Sequence, residues 1–285
     1  MPGNEWALMI FTLLAQASVG FFILSEFALK KYLHDSGSSG QTSSYKRTRS
    51  LSIVLMLMAL AASFFHLGTP LKAIFALNNL KSSWLSREIL SAIVYFALFA
   101  VLWAMALRKS LPQKKFTWLI VLCGISGIST VICMSLLYML PGIISWNNPL
   151  TLLTFFTSTF LLGFLLFYTV NLRIPVPQKD LFNKAYRLIL KATIYLGGFQ
   201  IVLTGIWAYR LLHLNDSRLQ WIFILRIICI LLGIGVLFFL HLKNSRKHQA
   251  LVPVQMIFKA AALLIIISEV LGRYLFYEIF VRIGL

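Results

Sequence analysis

Charge is scarce in this chain. Asp, Glu, Lys and Arg make up 12% of the 285 residues, where soluble domains carry about 25%. Acid is scarcest, with 8 Asp and Glu against 26 Lys and Arg. Cysteine is limited to 3 residues and no C-x-x-C is present. So little polar surface excludes a water-soluble enzyme, and 59% hydrophobic residues exclude a disordered polypeptide. Three cysteines exclude a disulfide-rich module and fall short of the four thiolates an iron–sulfur cluster takes. What the sequence has instead is long apolar runs, with 23 Phe among them. Such runs predict an all-α, polytopic integral membrane protein, because a barrel shows short alternating segments. The net charge of +18 then reports basic loops facing the cytoplasm rather than a nucleic-acid partner.

A span needs roughly 20 apolar residues to cross the hydrocarbon layer. Windows of that kind predict eight transmembrane helices, at about 6–29, 50–66, 88–107, 117–139, 149–171, 188–211, 221–242 and 254–277, in one membrane-anchor domain. Lys and Arg set the orientation. The connection after span one holds Lys30, Lys31, Lys46, Arg47 and Arg49, and that after span three Arg108, Lys109, Lys114 and Lys115. After span five come Arg173, Lys179, Lys184, Arg187 and Lys191, and after span seven Lys243, Arg246 and Lys247. The leader MPGNEW has none, and the even-numbered connections hold only Lys72, Lys81, Arg87, Arg210 and Arg218. The bias places both termini outside. With no basic leader and no small-residue cleavage site, the first span reads as retained. The Ser/Gly-rich HDSGSSGQTSSYKRTRS reads as a flexible cytoplasmic connection.

The residues offer little for a resident cofactor. Cys123, Cys133 and Cys229 all fall inside spans. The first two are about 15 Å apart along one helix, too far for a disulfide, which wants Cα atoms within about 7 Å. They read as small apolar core residues. Of the five histidines, only His66 and His213 share a side near span ends, so a bis-histidine haem b stands as an alternative. The glycines of YLGGF and GIG sit in span interiors, where they permit close helix packing rather than nucleotide binding. A small-solute transporter is a further alternative, but its polar groups would more often sit at the midplane in two related halves.

Ionisable groups in a span cost about 2.5–3.5 kcal/mol at its centre and mark function by default. Lys30, Lys31, Lys191 and Lys259 lie near inner ends and can snorkel, and Glu26 has a basic loop to pair with. The others gather towards the outer side: His66, Arg87, Glu88, Arg210, Arg226, Glu269 and Arg273. Of these, Arg87 is expected to meet a partner protein or lipid phosphates. Glu269 and Arg273 are four apart in the favourable order for an ion pair. Gln16, near the middle of span one, needs a partner there. A cluster near one surface points to a shallow pocket. Between spans two and three, HLGTPLKAIFALNNLKSSWLSREIL has Gly68 and Pro70 to break the helix after His66. A short interfacial element anchored by Trp84 follows, and Ser86, Arg87 and Glu88 start span three, where the helix dipole favours a carboxylate. Glu88 thus returns to the depth of His66. An imidazole and a carboxylate there form either a proton-accepting pair or an interfacial hydrogen bond.

The run HLGTPLKAIFALNNLKSSWLSREI resembles the signature of the membrane-anchor subunit of anaerobic dimethyl sulfoxide reductase. EWALMIFTLLAQASVGFFI, NPLTLLTFFTSTFLLG and SEVLGRYLFYEIF are similar to the same family, so the resemblance runs the full length. It implies an anchor without haem or iron–sulfur cluster, holding a molybdopterin catalytic subunit and a four-cluster iron–sulfur subunit as a heterotrimer. It implies that the protein oxidises menaquinol in anaerobic respiration, with no metal of its own. His66, Gly68 and Glu88 fall on the family's motif positions for quinol binding and oxidation. Gln16, Arg226, Glu269 and Arg273 are the further candidates for the quinol pocket. Loops and polar details such as Lys72 depart from the family pattern, and the terminal acceptor is not fixed by this sequence.

Overall fold

In a computed structural model, the described residues of the protein form a bundle of eight helices. The backbone is described for residues 5–32, 38–66, 75, 77–107, 117–139, 143, 145–171, 179–212, 216–244 and 251–283. Side chains are described for 6–27, 45–65, 75, 77–107, 117–139, 143, 145–170, 187–206, 216–242 and 256–278. The helices are α1 (Glu5–Tyr32), α2 (Ser38–His66), α3 (Trp84–Leu107) and α4 (Thr117–Tyr138), then α5 (Pro149–Asn171), α6 (Lys179–Leu212), α7 (Ser217–Asn244) and α8 (Leu251–Ile283). Among the described residues, α1 to α7 are each long and apolar enough to cross a membrane. α8, which carries Lys259, Glu269 and Arg273, falls outside that set. Helix is the only regular structure a polypeptide can use alone in hydrocarbon, because it satisfies its own backbone.

The helix starts are written locally. Asn148 accepts from the Leu150 amide at 3.0 Å and Pro149 opens α5, a side-chain cap followed by the one residue with no amide to satisfy. Asp216 caps α7 in the same way, accepting from the amides of Arg218 (2.8 Å) and Leu219 (3.3 Å). Ser83 accepts from Ser86 at the start of α3. That cap starts α3 at Trp84, before the window at 88, so Glu88 lies in its second turn. The dipole acts mainly within the first turn, so it does less for Glu88 than expected. α2 likewise begins at Ser38, inside the stretch expected to be a flexible connection. Its early turns are tied down: Arg49 donates to Glu26 of α1 through Nε (2.6 Å) and Nη2 (2.9 Å), and to the Leu102 carbonyl at 3.3 Å. The expected pairing of Glu26 with neighbouring basic sequence is thus met by a buried bidentate bridge.

The two larger apolar cores lie side by side. One joins α1 to α4, including Phe22, Met56, Tyr95, Phe99 and Met134, with Phe155 and the part of α8 around Phe276. The other joins α5 to α8, including Leu161, Tyr168, Ile230, Leu237 and Phe258. Between them α1 crosses α5 at Gly20 and Gly163. A Cβ on Gly20 would come 1.9 Å from the Thr159 carbonyl oxygen, and one on Gly163 would come 2.4 Å from the Gly20 carbonyl carbon. Backbone meets backbone there, the small-residue packing typical of membrane helices. The outer faces of the helices are apolar too: Phe65, Ile125, Phe239 and Leu263 are each more than half exposed. Lipid is the solvent such a surface suits. Cys123, Cys133 and Cys229 are free and buried.

Candidate functional site

Hairpin connections bring the starts of α3, α5 and α7 and the ends of α2, α4 and α8 to one end of the bundle. Most of the buried polar residues expected from the sequence meet there. Glu88, Arg226, Glu269 and Arg273 are all less than one-tenth exposed, and Gln16 is fully buried.

The contacts run in series across five helices. Gln16 of α1 accepts from Arg273 Nη2 at 2.9 Å and turns its own amide towards Met134 Sδ of α4 at 3.9 Å. The Arg273 guanidinium lies over the Phe155 ring, 3.9 Å from its centroid, with Phe276 on another side at 5.8 Å. An aromatic ring is a good neighbour for a guanidinium that has left water. Glu269 accepts a hydrogen bond from the Ser158 hydroxyl of α5. The i, i+4 ion pair open to Glu269 and Arg273 is therefore replaced. α1 supplies an amide oxygen to the arginine and α5 a hydroxyl to the carboxylate. Arg226 of α7 lies against α8 at Gly272, where a Cβ would stand 2.5 Å from the Arg226 Cζ.

One turn beyond Arg273, Tyr277 meets Tyr138 of α4, their hydroxyls 2.8 Å apart. The Thr12 hydroxyl of α1, which donates to the Met9 carbonyl of its own helix at 3.1 Å, lies near Tyr277. The Glu88 carboxylate is in electrostatic reach of both tyrosines. Aromatic rings close this end. Trp146 stacks on Phe276 with centroids 5.0 Å apart, donates from Nε1 to the Phe276 carbonyl at 2.9 Å, and packs edge-on to Tyr138 at 5.1 Å. Arg87 faces away from the cluster. It donates to the carbonyls of Leu80 (2.9 Å) and Lys81 (2.6 Å) and lies over the Trp84 ring at 4.2 Å, so it braces the preceding connection.

The matching family model is described as DMSO reductase anchor subunit (DmsC), and it spans residues 2–279. The protein belongs to this family. Among its relatives, the C subunit of the anaerobic dimethyl sulfoxide reductase of Haemophilus influenzae is 27% identical, with 99% of this sequence and 96% of the relative covered. In Escherichia coli K12, the YnfH subunit and the C subunit of anaerobic dimethyl sulfoxide reductase are each 26% identical, with 99% of this sequence and 97% of each relative covered. With seven helices apolar enough to cross a membrane among its described residues, this DmsC-family protein is a multi-pass membrane protein.

Of the candidates read from its sequence, Glu88, Gln16, Arg226, Glu269 and Arg273 come together at one end of the bundle. His66 is the last residue of α2, whose end lies at that same end, and its side chain lies outside the described residues. Gly68 lies outside them as well. Among the described residues, no three His, Cys, Asp or Glu gather as metal ligands would. Sequence reasoning missed Tyr138, Tyr277, Thr12, Ser158 and Trp146. A signal for one was present: Glu269, Arg273 and Tyr277 recur every four residues, and so share one face of α8.

Proposed function

We propose that this protein is the membrane anchor and menaquinol-oxidising subunit of a dimethyl sulfoxide reductase-type complex in the bacterial cytoplasmic membrane. In this reading it crosses the membrane eight times with both termini outside. It joins a molybdopterin catalytic subunit and an iron–sulfur subunit as a heterotrimer, and it carries no haem of its own. The observation that carries the reading is Glu88. A carboxylate is buried near one end of the bundle, within electrostatic range of a bonded pair of tyrosine hydroxyls, on the helix that follows the His66–Gly68 segment.

Quinol oxidation releases two electrons and two protons, and the electrons leave readily only when the hydroxyl protons have acceptors within hydrogen-bond reach. His66 or Glu88 takes the protons in this scheme. An imidazole titrates near neutrality and can pass its proton on to water. The electrons go to the nearest iron–sulfur carrier of the partner subunit. Protons and electrons leave on the same side, so little net charge crosses the membrane. Tyr138 and Tyr277 orient the carboxylate end of the pocket, and the Trp146–Phe276 stack keeps bulk water out.

The test uses the assembled complex in its membrane. His66→Ala and Glu88→Gln should each lower quinol-driven reduction at least about 100-fold, as loss of a general base typically does. Dye-driven activity, which bypasses this subunit, should persist. Loss of both activities together would make these residues structural, and a reducible Soret band in the purified protein would replace the scheme with a haem-based one.

A further inference from the structure

Among the described residues at this end of the bundle, two buried polar atoms have no hydrogen-bond partner. They are Arg226 Nε, a donor, and Glu269 Oε1, an acceptor. Both belong to side chains more than nine-tenths buried. An unmet donor or acceptor in a buried position is costly, and two in one cluster are rare unless something fills the gap.

Their surroundings define what fits. The Ser268 hydroxyl donates to the Arg226 carbonyl at 3.2 Å, which fixes the register of α7 against α8. The Arg226 guanidinium lies against Gly272, one helical turn from Glu269 on the same side of α8. Arg226 and Glu269 are in electrostatic reach of each other, yet the two free atoms do not bond directly. Arg273 does not resolve the mismatch, because it is engaged by Gln16 and the Phe155 ring. Ser158 holds the other oxygen of Glu269, so the free oxygen has a fixed direction. A single group that meets both atoms would donate to Glu269 Oε1 and accept from Arg226 Nε. A hydroxyl does this. A ketone only accepts, and an ammonium only donates.

We propose that Arg226 and Glu269 form a binding site for one hydroxyl, built for the hydroxyl of a hydroquinone. This rests on the quinol-oxidation reading above, and water is the other source of the same chemistry. In the filled site the hydroxyl donates to Glu269 Oε1 and accepts from Arg226 Nε. The oxidised carbonyl keeps only the second bond, so the site holds hydroquinone more tightly than quinone and lets the product go.

Equilibrium dialysis on the assembled complex tests this, with a short-chain 1,4-naphthoquinone and, anaerobically, its hydroquinone as probes. The unaltered complex should prefer the hydroquinone. Glu269→Gln replaces the acceptor by an amide that can donate. It should weaken hydroquinone binding about tenfold or more, the scale of one hydrogen bond to a charged group, and leave quinone binding equal or tighter. Arg226→Lys should weaken both forms. Dye-driven activity reports assembly, and Glu269→Asp, which draws the carboxylate back, should show the same selective loss if the Gln variant fails to assemble. If hydroquinone binding is unchanged in these variants while His66 and Glu88 variants still abolish quinol turnover, the site holds water only and this inference alone is overturned. If the unaltered complex binds neither form, the quinol reading itself falls.

Discussion

Tyr277 is the junction of the polar cluster. Its hydroxyl meets that of Tyr138, and it stands one turn from Arg273 on α8. Tyr277→Phe leaves the Tyr138 hydroxyl short of a partner, a loss of about 1–3 kcal/mol at a buried site. We expect quinol-driven turnover to fall about tenfold or more, with dye-driven activity retained. If the tyrosine acts through Glu88, Glu88→Gln combined with Tyr277→Phe should be no slower than Glu88→Gln alone, a cycle that separates shared from independent roles. The acidic, basic and amide members of this cluster were legible in the sequence, because each is a costly group in an apolar window: Gln16, Glu88, Arg226, Glu269 and Arg273. The hydroxyl members were not. Tyr, Ser and Thr are tolerated in spans, and Ser and Thr often bond their own helix backbone, as Thr154 and Thr159 do here. Only three-dimensional placement separates Ser158, which reaches Glu269, from those neighbours. Arg87 is tied to two backbone carbonyls, contacts that a charge at a span end does not disclose in the sequence.

At the scale of helices, hydropathy found the positions of the elements and missed several of their ends. A window of apolar residues senses the hydrocarbon, whereas a helix stops where caps and hydrogen bonds stop it. Ser83 therefore starts α3 before the apolar run, and α2 and α6 extend well before theirs. The early turns of α2 matter because Arg49 reaches Glu26 there. Glu26→Gln removes the charge that balances a buried guanidinium and should cost about 3–5 kcal/mol, as breaking a buried pair typically does. A lowered thermal-inactivation temperature of the complex in detergent is the expected reading, with quinol affinity of the surviving complex unaltered, since this bridge lies at the opposite end from Glu88. Exchanging the two charges (Glu26→Arg with Arg49→Glu) should not restore the native value, because Arg49 also donates to the Leu102 carbonyl.

For the whole molecule, the distribution of Lys and Arg makes a claim about sides that a bundle alone does not. The basic connections follow the odd-numbered helices, while the polar cluster lies at the other end. Reporter fusions that are active only outside the cytoplasmic membrane should be active at both termini and silent in the connections after α1, α3, α5 and α7. Activity in those connections would invert the molecule and place the Glu88 end in the cytosolic leaflet, against the proposed direction of proton release. The overall class, all-helical and membrane-embedded, follows from composition alone. The side-by-side division into two cores was not legible, because every span is apolar on nearly every face and periodicity cannot say which neighbour a face will meet.

The crossing of α1 and α5 carries a consequence for how this protein can change. At Gly20 and Gly163 the obstacle to any side chain is main chain on the opposing helix, and main chain cannot be made smaller. Bulk gained on one side thus has nowhere to be given back on the other. Randomising both codons together and selecting for anaerobic growth on the complex's acceptor should return glycine at each site independently, with no correlated large–small pairs among the survivors.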